Sequence, residues 1–282
     1  MATVILATSL VSIGRVGARS AMFALERLGH DVWFLPTVTL PFHPGHGPGT
    51  KIVPDTEMFA QLVEDIMERS DLDTVDAVMT GYLADPGQAD VLARMIDAVR
   101  DTGADATILC DPVIGDDSGL YVPDSVARAQ RDVLVPKADI LTPNRFELEW
   151  LLGASLGSNE ALAEAARTLP AQQVAVTSAF ALMRGMAATL LVADGNAVLA
   201  EARAAEPAPR GPGDLFAALF LAHLLAGLAS QDALTRAASS VHELVALAVR
   251  HGLQELPLPS DQAALTAPRL QVNLRHIRHV TA

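Results

Sequence analysis

Residues 106–152 read ATILCDPVIGDDSGLYVPDSVARAQRDVLVPKADILTPNRFELEWLL, and this stretch contains the pattern that decides the fold. Two short apolar runs, residues 106–110 and 140–141, each lead through a polar loop into a helical stretch, at residues 125–133 and 145–152. The same alternation continues on both sides for most of the chain. It is typical of a parallel sheet covered by helices on both faces, so we predict an α/β fold.

Apolar runs and 3.6-residue periodicity extend this prediction along the rest of the chain. Further strands are predicted at residues 3–7, 31–38, 77–80 and 173–177, followed by a hairpin of residues 186–192 and 197–200 around Asp194-Gly195. Further helices are predicted at residues 19–28, 57–68, 88–99, 160–169, 215–226 and 231–250. Three prolines and three glycines predict an irregular loop at residues 39–50.

The last part of the chain carries a different signal. Regular patterning ends near residue 257, and the segment becomes locally basic through Arg275, His276, Arg278 and His279. A solvated, irregular tail is predicted there. Because the sequence has no internal repeat and no low-complexity linker, residues 1–282 are predicted to form a single domain that includes this tail.

Charge and cysteine content narrow the classes of partner. The net charge is −13, from 33 acidic and 20 basic residues, which argues against nucleic acid or an anionic membrane as the main partner. No segment reaches about 18 uninterrupted apolar residues, so no membrane span is predicted. One cysteine, Cys110, cannot form an internal disulfide or a multi-thiolate zinc site. We therefore expect a cytoplasmic protein whose main partner is neither nucleic acid nor a membrane.

The sharpest local motif is Arg210-Gly211-Pro212-Gly213-Asp214, which precedes a long apolar helix. Two glycines let the backbone bend tightly, and the free amides of a helix N-terminus bind anions. This arrangement suits a phosphoryl group in transfer, and Asp214 is placed to take a proton from an attacking hydroxyl. A helix-capping role for Asp214 is the alternative that the local sequence leaves open.

Other polar residues also follow predicted strands. Asp111 opens the run Asp-Pro-Val-Ile-Gly-Asp-Asp, where a carboxylate can act on a metal or a nucleotide phosphate, with an acidic turn as the alternative. Asn144 and Glu147 have the spacing of a helix-capping pair. His43 and His46 lie close in sequence, but without an evident third ligand they are interpreted as polar loop surface.

In this order along the chain, the motifs resemble those of the pyridoxal kinases, over about residues 3–235. The resemblance implies a ribokinase-like three-layer α/β/α fold, with a mostly parallel central sheet and an edge hairpin. It also implies phosphoryl transfer from ATP to the 5′-hydroxymethyl group of pyridoxal, with Mg²⁺ required and a monovalent cation as an open question. A homodimer is the oligomeric state that the resemblance implies.

The resemblance assigns roles to the phosphate side of the site. The Gly-Pro-Gly-Asp segment is similar to the superfamily's Gly-x-Gly-Asp motif, in which Gly211 and Gly213 would form the anion hole and Asp214 would be the catalytic base. Asn144 and Glu147 match its Asn-x-x-Glu motif, which supports magnesium through water. The other residues expected on the nucleotide side are Asp111, Thr177, Ser178 and Arg210. Asp111 is also expected near the metal.

The vitamer side carries narrower signals. Ser9 matches the family's serine at the pyridine ring, and Tyr82 matches a tyrosine of the same pocket. Gly45 lies in a loop where the family has an Asn-His-Thr-Gly-Tyr type segment, but Pro44 replaces the substrate-contacting threonine. Further departures from the family pattern are Leu10, Ala18 and the amide-lacking Pro212.

Two alternatives to a pyridoxal kinase remain open at this level. One is a hydroxymethylpyrimidine kinase of the same superfamily, although its usual glycine-rich N-terminal segment is not visible around residues 8–20. The other, motivated by Pro44 and Pro212, is a catalytically weak protein that binds a vitamer without efficient turnover.

Overall fold

The computed structural model describes residues 1–68 and 71–277. Its strands are β1 (Thr3–Val11), β2 (Asp31–Leu40), β3 (Val75–Thr80), β4 (Thr107–Cys110), β5 (Gly115–Asp116), β6 (Gly119–Leu120), β7 (Ile140–Leu141), β8 (Gln173–Val176), β9 (Met186–Ala193), β10 (Asn196–Arg203) and β11 (Asn273–His276). Nine of them form one sheet in the spatial order β11-β10-β9-β8-β7-β4-β3-β1-β2, while β5 and β6 pair separately. The six strands from β8 to β2 are parallel, which confirms the predicted α/β class.

Helices cover both faces of this sheet. They are α1 (Ala18–Arg27), α2 (Thr56–Met67), α3 (Gly87–Asp101), α4 (Asp124–Ala129), α5 (Arg145–Leu152), α6 (Asn159–Ala166), α7 (Pro212–Leu225), α8 (Ser230–Arg250) and α9 (Ala263–Thr266). Side chains of β1 alternate between two cores: Val4 and Leu6 pack with α1, α7 and α8, whereas Ile5 and Ala7 face α2 and α3. The three-layer prediction is therefore confirmed. None of the helices in the described ranges is long and apolar enough to cross a bilayer.

The strand register explains why the predicted site residues come together. Thr80 of β3 pairs with Cys110 of β4, and Cys110 pairs with Leu141 of β7. The three strands thus end level with one another, and the loops that follow them open at the same edge of the sheet. Ligands bind at this edge in open α/β sheets.

The predicted hairpin is confirmed, with Asp194 and Gly195 at φ 51° and 75° between β9 and β10. Positive φ at both central residues is the conformation that two-residue hairpin turns prefer. The hairpin is not the outermost element, because β11 pairs with the free side of β10.

The chain beyond residue 257 differs from the solvated tail that the sequence predicts. Leu258 and Leu265 are buried against α7 and α8, and β11 joins the sheet. Arg275 lies 3.1 Å from the carboxylate of Glu201, which is buried. Arg275 therefore serves as the ion-pair partner of a buried carboxylate in the neighbouring strand. Arg278 and His279 lie outside the described residues.

Candidate active site

A cavity of about 680 Å³ opens at the carboxyl edge of the sheet. It brings together every residue that the sequence predicts for the site: Ser9, Gly45, Tyr82, Asp111, Asn144, Glu147, Thr177, Ser178, Arg210, Gly211, Gly213 and Asp214. Residues far apart in sequence thus share one cavity. Their individual roles remain predictions.

The Gly-Pro-Gly-Asp motif forms the start of α7. Gly211 is the N-cap residue with φ 87° and ψ 9°, Pro212 occupies the first helical position, and Asp214 lies in the first turn. A Cβ on Gly211 would overlap the carbonyl oxygen of Arg15, so both backbone conformation and close packing require glycine. Because the N-cap is Gly211, which makes no side-chain cap hydrogen bond, Asp214 is not the cap of this helix.

The Asp214 carboxylate is held by the turn that follows β1. Its Oδ2 accepts a hydrogen bond from the backbone N–H of Gly17 at 2.9 Å. Burial raises the pKa of Asp214, and the N–H groups of Gly17 and of Asp214 itself oppose this rise. A Cβ on Gly17, whose φ is 55°, would overlap Ser9 Oγ, so Ser9 packs against the same turn. An oriented carboxylate with a raised pKa is suited to accept a proton.

Asp111 lies deeper in the same cavity, directly after β4. It is buried, and its Oδ1 accepts a hydrogen bond from Thr142 Oγ1 at 2.9 Å. Burial, and secondly the negative charge of Asp214, raise the pKa of Asp111 to about 8. The acidic-turn alternative does not describe this side chain, because it is enclosed beside a second carboxylate.

Asn144 and Glu147 form the capping box that their spacing predicts. Asn144 Oδ1 accepts from the Glu147 N–H at 2.9 Å, and Glu147 Oε2 accepts from the Asn144 N–H at 2.8 Å. Glu147 Oε1 also accepts from the N–H groups of Ile114 and Gly115, at 3.0 and 3.4 Å. Glu147 therefore fastens the Asp111 loop to α5. Burial and the negative charge of Asp111 hold the pKa of Glu147 well above its usual range.

The carboxyl groups on this side of the cavity ionise at a cost, which their raised pKa values reflect. Among the described residues, no ion pair joins Asp111, Glu147 or Asp214 to a basic side chain. A divalent cation held near nucleotide phosphates fits such a set. Within the same part of the chain, no three His, Cys, Asp or Glu side chains are grouped so that they could hold a metal ion.

The edge of the cavity near β8 is irregular. Thr177 pairs with Asn144 through the backbone, and the Arg145 N–H donates to the Thr177 carbonyl at 2.9 Å. Ser178, the next residue, has φ 54°, an uncommon conformation for a residue other than glycine and one that clusters at functional sites. The predicted nucleotide-side pair is thus fixed beside the capping box.

Arg210 makes contacts that the sequence does not reveal. Its Nη2 donates to the Gly45 carbonyl at 3.0 Å, and its Nη1 lies 3.3 Å from His43 Nδ1. The Gly45 N–H donates to the same His43 nitrogen at 3.0 Å. The guanidinium predicted on the nucleotide side therefore also holds the loop around Gly45 in place.

Comparisons with known proteins identify the family. A family model described as phosphomethylpyrimidine kinase matches residues 51–258. Pyridoxal kinase PdxY of Corynebacterium diphtheriae is 34% identical over 277 residues, covering 95% of this chain and 97% of that protein. Pyridoxal kinase PdxY of Rubrobacter xylanophilus is 35% identical over 276 residues, covering 95% of both. The chain belongs to the pyridoxal kinase family. It is therefore a kinase, as its motifs predict.

A solved structure supports the same placement. The pyridoxal kinase from Leishmania donovani in complex with ADP and pyridoxamine superposes with a TM-score of 0.91. It is 27% identical and covers 99% of this chain and 100% of its own. The ribokinase-like fold predicted from the family resemblance is thereby confirmed.

Lys51 and Tyr121 are among the residues that line this kinase's cavity but are absent from the predicted site. Lys51 lines the cavity just beyond the proline- and glycine-rich loop, and Tyr121 lines it from the segment after β6. Lys51 belongs to no motif, so the only sequence signal for its role is its position at the end of an irregular loop. Burial raises the pKa of Tyr121, although the residue is still 47% exposed. Both add polar groups to the mouth of the site.

Proposed function

We propose that the chain transfers the terminal phosphoryl group of ATP to the 5′-hydroxymethyl group of pyridoxal or a related vitamer. One observation carries the proposal: the Asp214 carboxylate lies beside the left-handed Gly211 turn, at the N-terminus of α7, in the cavity shared with Ser9 and Tyr82. The proposed base, the amides at the helix N-terminus and the residues proposed to bind the vitamer thus line the same cavity.

The mechanism follows from the positions of these groups. Asp214 takes the proton of the attacking hydroxyl, and the Gly17 N–H keeps its carboxylate oriented. The amides at the start of α7 stabilise charge on the transferred group. Ser9 and Tyr82 line the pocket that orients the acceptor, and the loop around Gly45 forms part of the same cavity wall.

Mg²⁺ is proposed as the required ion, and Asp111, Asn144 and Glu147 would hold it indirectly, through its water shell. When bound there, it would supply positive charge that offsets the charge of the phosphates. Asp111 and Glu147 contribute negative charge that burial makes costly in the absence of a cation. A monovalent cation as an additional activator is a further proposal from the family resemblance.

Oligomeric state and location are also proposals. A homodimer is supported by apolar side chains left exposed near α2, namely Ile52, Val53, Met58 and Leu62. A cytoplasmic location is supported by Cys110, the sole cysteine, which is a buried free thiol. A single kinase domain over residues 1–282 is likewise a proposal.

A second candidate is phosphorylation of a hydroxymethylpyrimidine. The observation in its favour is the matching family model, which is described as phosphomethylpyrimidine kinase. The identity to pyridoxal kinases over nearly the whole chain favours the vitamer.

An acceptor screen separates these candidates. Purified protein with ATP and Mg²⁺ is assayed for ADP release with pyridoxal, pyridoxine, pyridoxamine and hydroxymethylpyrimidine. The highest kcat/KM is expected with one of the three vitamers. A higher value with hydroxymethylpyrimidine would transfer the assignment to the second candidate. Vitamer binding by calorimetry without ADP release would indicate a vitamer-binding protein that lacks efficient turnover.

Glu147→Gln is expected to raise the Mg²⁺ concentration that gives half-maximal rate by about tenfold, since outer-shell partners of a metal typically matter by that amount or more. The side chain keeps its size but cannot carry charge. The matched control is Glu149→Gln, because Glu149 lies on the same helix and accepts a backbone hydrogen bond from Leu156 at 2.7 Å outside the cavity. An Mg²⁺ titration equal in both variants and the unaltered protein would restrict Glu147 to helix capping.

Pro44→Thr is expected to lower the KM for pyridoxal a few-fold and to change the KM for ATP less. Pro44 lines the cavity and offers no side-chain hydrogen bond, whereas one neutral hydrogen bond contributes roughly 0.5–1.5 kcal/mol. Pro48→Thr, in the same loop but outside the cavity lining, is the control. If the two variants behave alike, residue 44 does not contact the vitamer.

A further inference from the structure

Glu255 is a carboxylate that the mechanism above does not use. It lies in the segment between α8 and α9, and its side chain is 27% exposed. Its Oε2 accepts a hydrogen bond from the Arg15 N–H at 2.8 Å, while its Oε1 lies 3.1 Å from His46 Nε2. One side chain thus joins the turn after β1 to the loop at residues 43–47.

The contact to Arg15 leads to the catalytic end of the site. The Arg15 carbonyl packs so closely on Gly211 that no Cβ fits between them. Two residues later, the Gly17 N–H donates to Asp214 at 2.9 Å. The backbone at Arg15 is therefore held between Glu255 and the anion-binding turn. Its displacement would move the donor that orients Asp214.

The contact to His46 leads to the vitamer end. Arg210 Nη2 holds the same loop through the Gly45 carbonyl at 3.0 Å. The Arg210 N–H in turn donates to the Gln254 carbonyl at 3.4 Å, next to Glu255. The contacts form a closed ring, from Glu255 through His46 and Gly45 to Arg210 and back. This ring fixes the loop against the residues that precede the anion-binding turn.

We propose that Glu255 is a positioning residue for phosphoryl transfer, which couples the loop over the vitamer to the turn that orients Asp214. The inference rests on the proposed function. Its geometric basis is that the two carboxylate oxygens contact different segments. One accepts a hydrogen bond from the Arg15 N–H in the turn after β1, and the other lies beside His46 in the loop at residues 43–47. Hydrogen bonds that involve a charged group are stronger than neutral ones, so a single side chain can hold both elements.

Glu243 provides a matched comparison for a purely structural role. It lies on α8 and accepts hydrogen bonds from the N–H groups of Arg269 and Leu270. Like Glu255, it fastens backbone amides through a carboxylate, but its partners Arg269 and Leu270 lie in a segment that does not line the cavity. Loss of Glu243 therefore measures the effect of releasing a fastened segment away from the site.

The test compares Glu255→Ala, Glu255→Gln, His46→Ala and Glu243→Ala by steady-state kinetics, melting temperature and hydrogen exchange. Glu255→Ala is expected to lower kcat/KM for the vitamer by about tenfold to a hundredfold, through both kcat and KM. His46→Ala releases the loop alone and should raise the vitamer KM with kcat within about twofold. Glu255→Gln retains an acceptor for Arg15 and a donor for a neutral His46, so it should restore most of the activity.

Hydrogen exchange gives a readout that does not need turnover. Glu255→Ala should accelerate exchange at residues 14–17 and 43–47, whereas Glu243→Ala should leave both segments unchanged. The proposal is overturned if Glu255→Ala only lowers the melting temperature, as Glu243→Ala does, with unaltered kinetics and unaltered exchange in these segments. If the unaltered protein does not phosphorylate a vitamer, the proposed function fails, and the exchange data alone decide whether Glu255 couples the two segments.

Discussion

Asp214→Asn is expected to lower kcat for vitamer phosphorylation by roughly 10²–10⁴-fold, the range typical for loss of a general base. Asparagine keeps the size of the side chain and can still accept a hydrogen bond from the Gly17 N–H, but it cannot take the hydroxyl proton. Because the N-cap of α7 is Gly211, the substitution removes no helix cap. The KM for ATP should therefore change little.

The control for this substitution is Asp232→Asn. Asp232 lies in the first turn of α8, is exposed, and does not line the cavity. It should behave as the unaltered protein in rate and in melting temperature. Near-normal turnover by folded Asp214→Asn would remove Asp214 from the chemistry and leave the mechanism without its base.

Gly211→Ala is the second substitution with a large expected effect. At φ 87°, alanine is strained, and its Cβ would overlap the Arg15 carbonyl oxygen. The turn must shift, which displaces the amides proposed to stabilise the transferred group. Loss of one such donor typically costs about 10²–10³ in kcat, and we expect a decrease of that order.

Gly227→Ala separates backbone strain from damage to the site. Gly227 follows the other end of the same helix at φ 82°, and an added Cβ meets nothing within 4 Å. It should lower the melting temperature while kcat stays within about twofold of the native value. If Gly211→Ala loses no more activity than Gly227→Ala, the turn at the start of α7 does not act on the phosphoryl group.

Sequence patterns predict the central part of this fold well because both faces of its sheet are buried. Strands such as β4 are short and mostly apolar, and each is followed by a loop and a helix, which leaves little ambiguity in fold class. The loop and helix signals also place Asp111 and Asn144 after two strands, β4 and β7, which neighbour each other in the sheet. The rule that ligands bind at the carboxyl ends of parallel strands then brings both to one edge.

The parts that sequence reasoning missed depend on contacts between distant segments. Arg275 is interpreted as part of a basic tail because nothing local shows that Glu201 lies buried in the adjacent strand. Glu255 carries no motif, and its two partners lie more than 200 residues away. The capping alternative for Asp214 also depended on where α7 begins, and the sequence places that boundary three residues too late.

The most direct measurement of the central claim is the identity of the phosphorylated product. The purified protein is incubated with ATP, Mg²⁺ and pyridoxal, and the products are analysed by ³¹P NMR and mass spectrometry. The expected product is pyridoxal 5′-phosphate, phosphorylated at the hydroxymethyl oxygen, in amounts equal to the ADP formed. ADP formation without a phosphorylated vitamer, or no reaction with any of the three vitamers, would contradict this expectation.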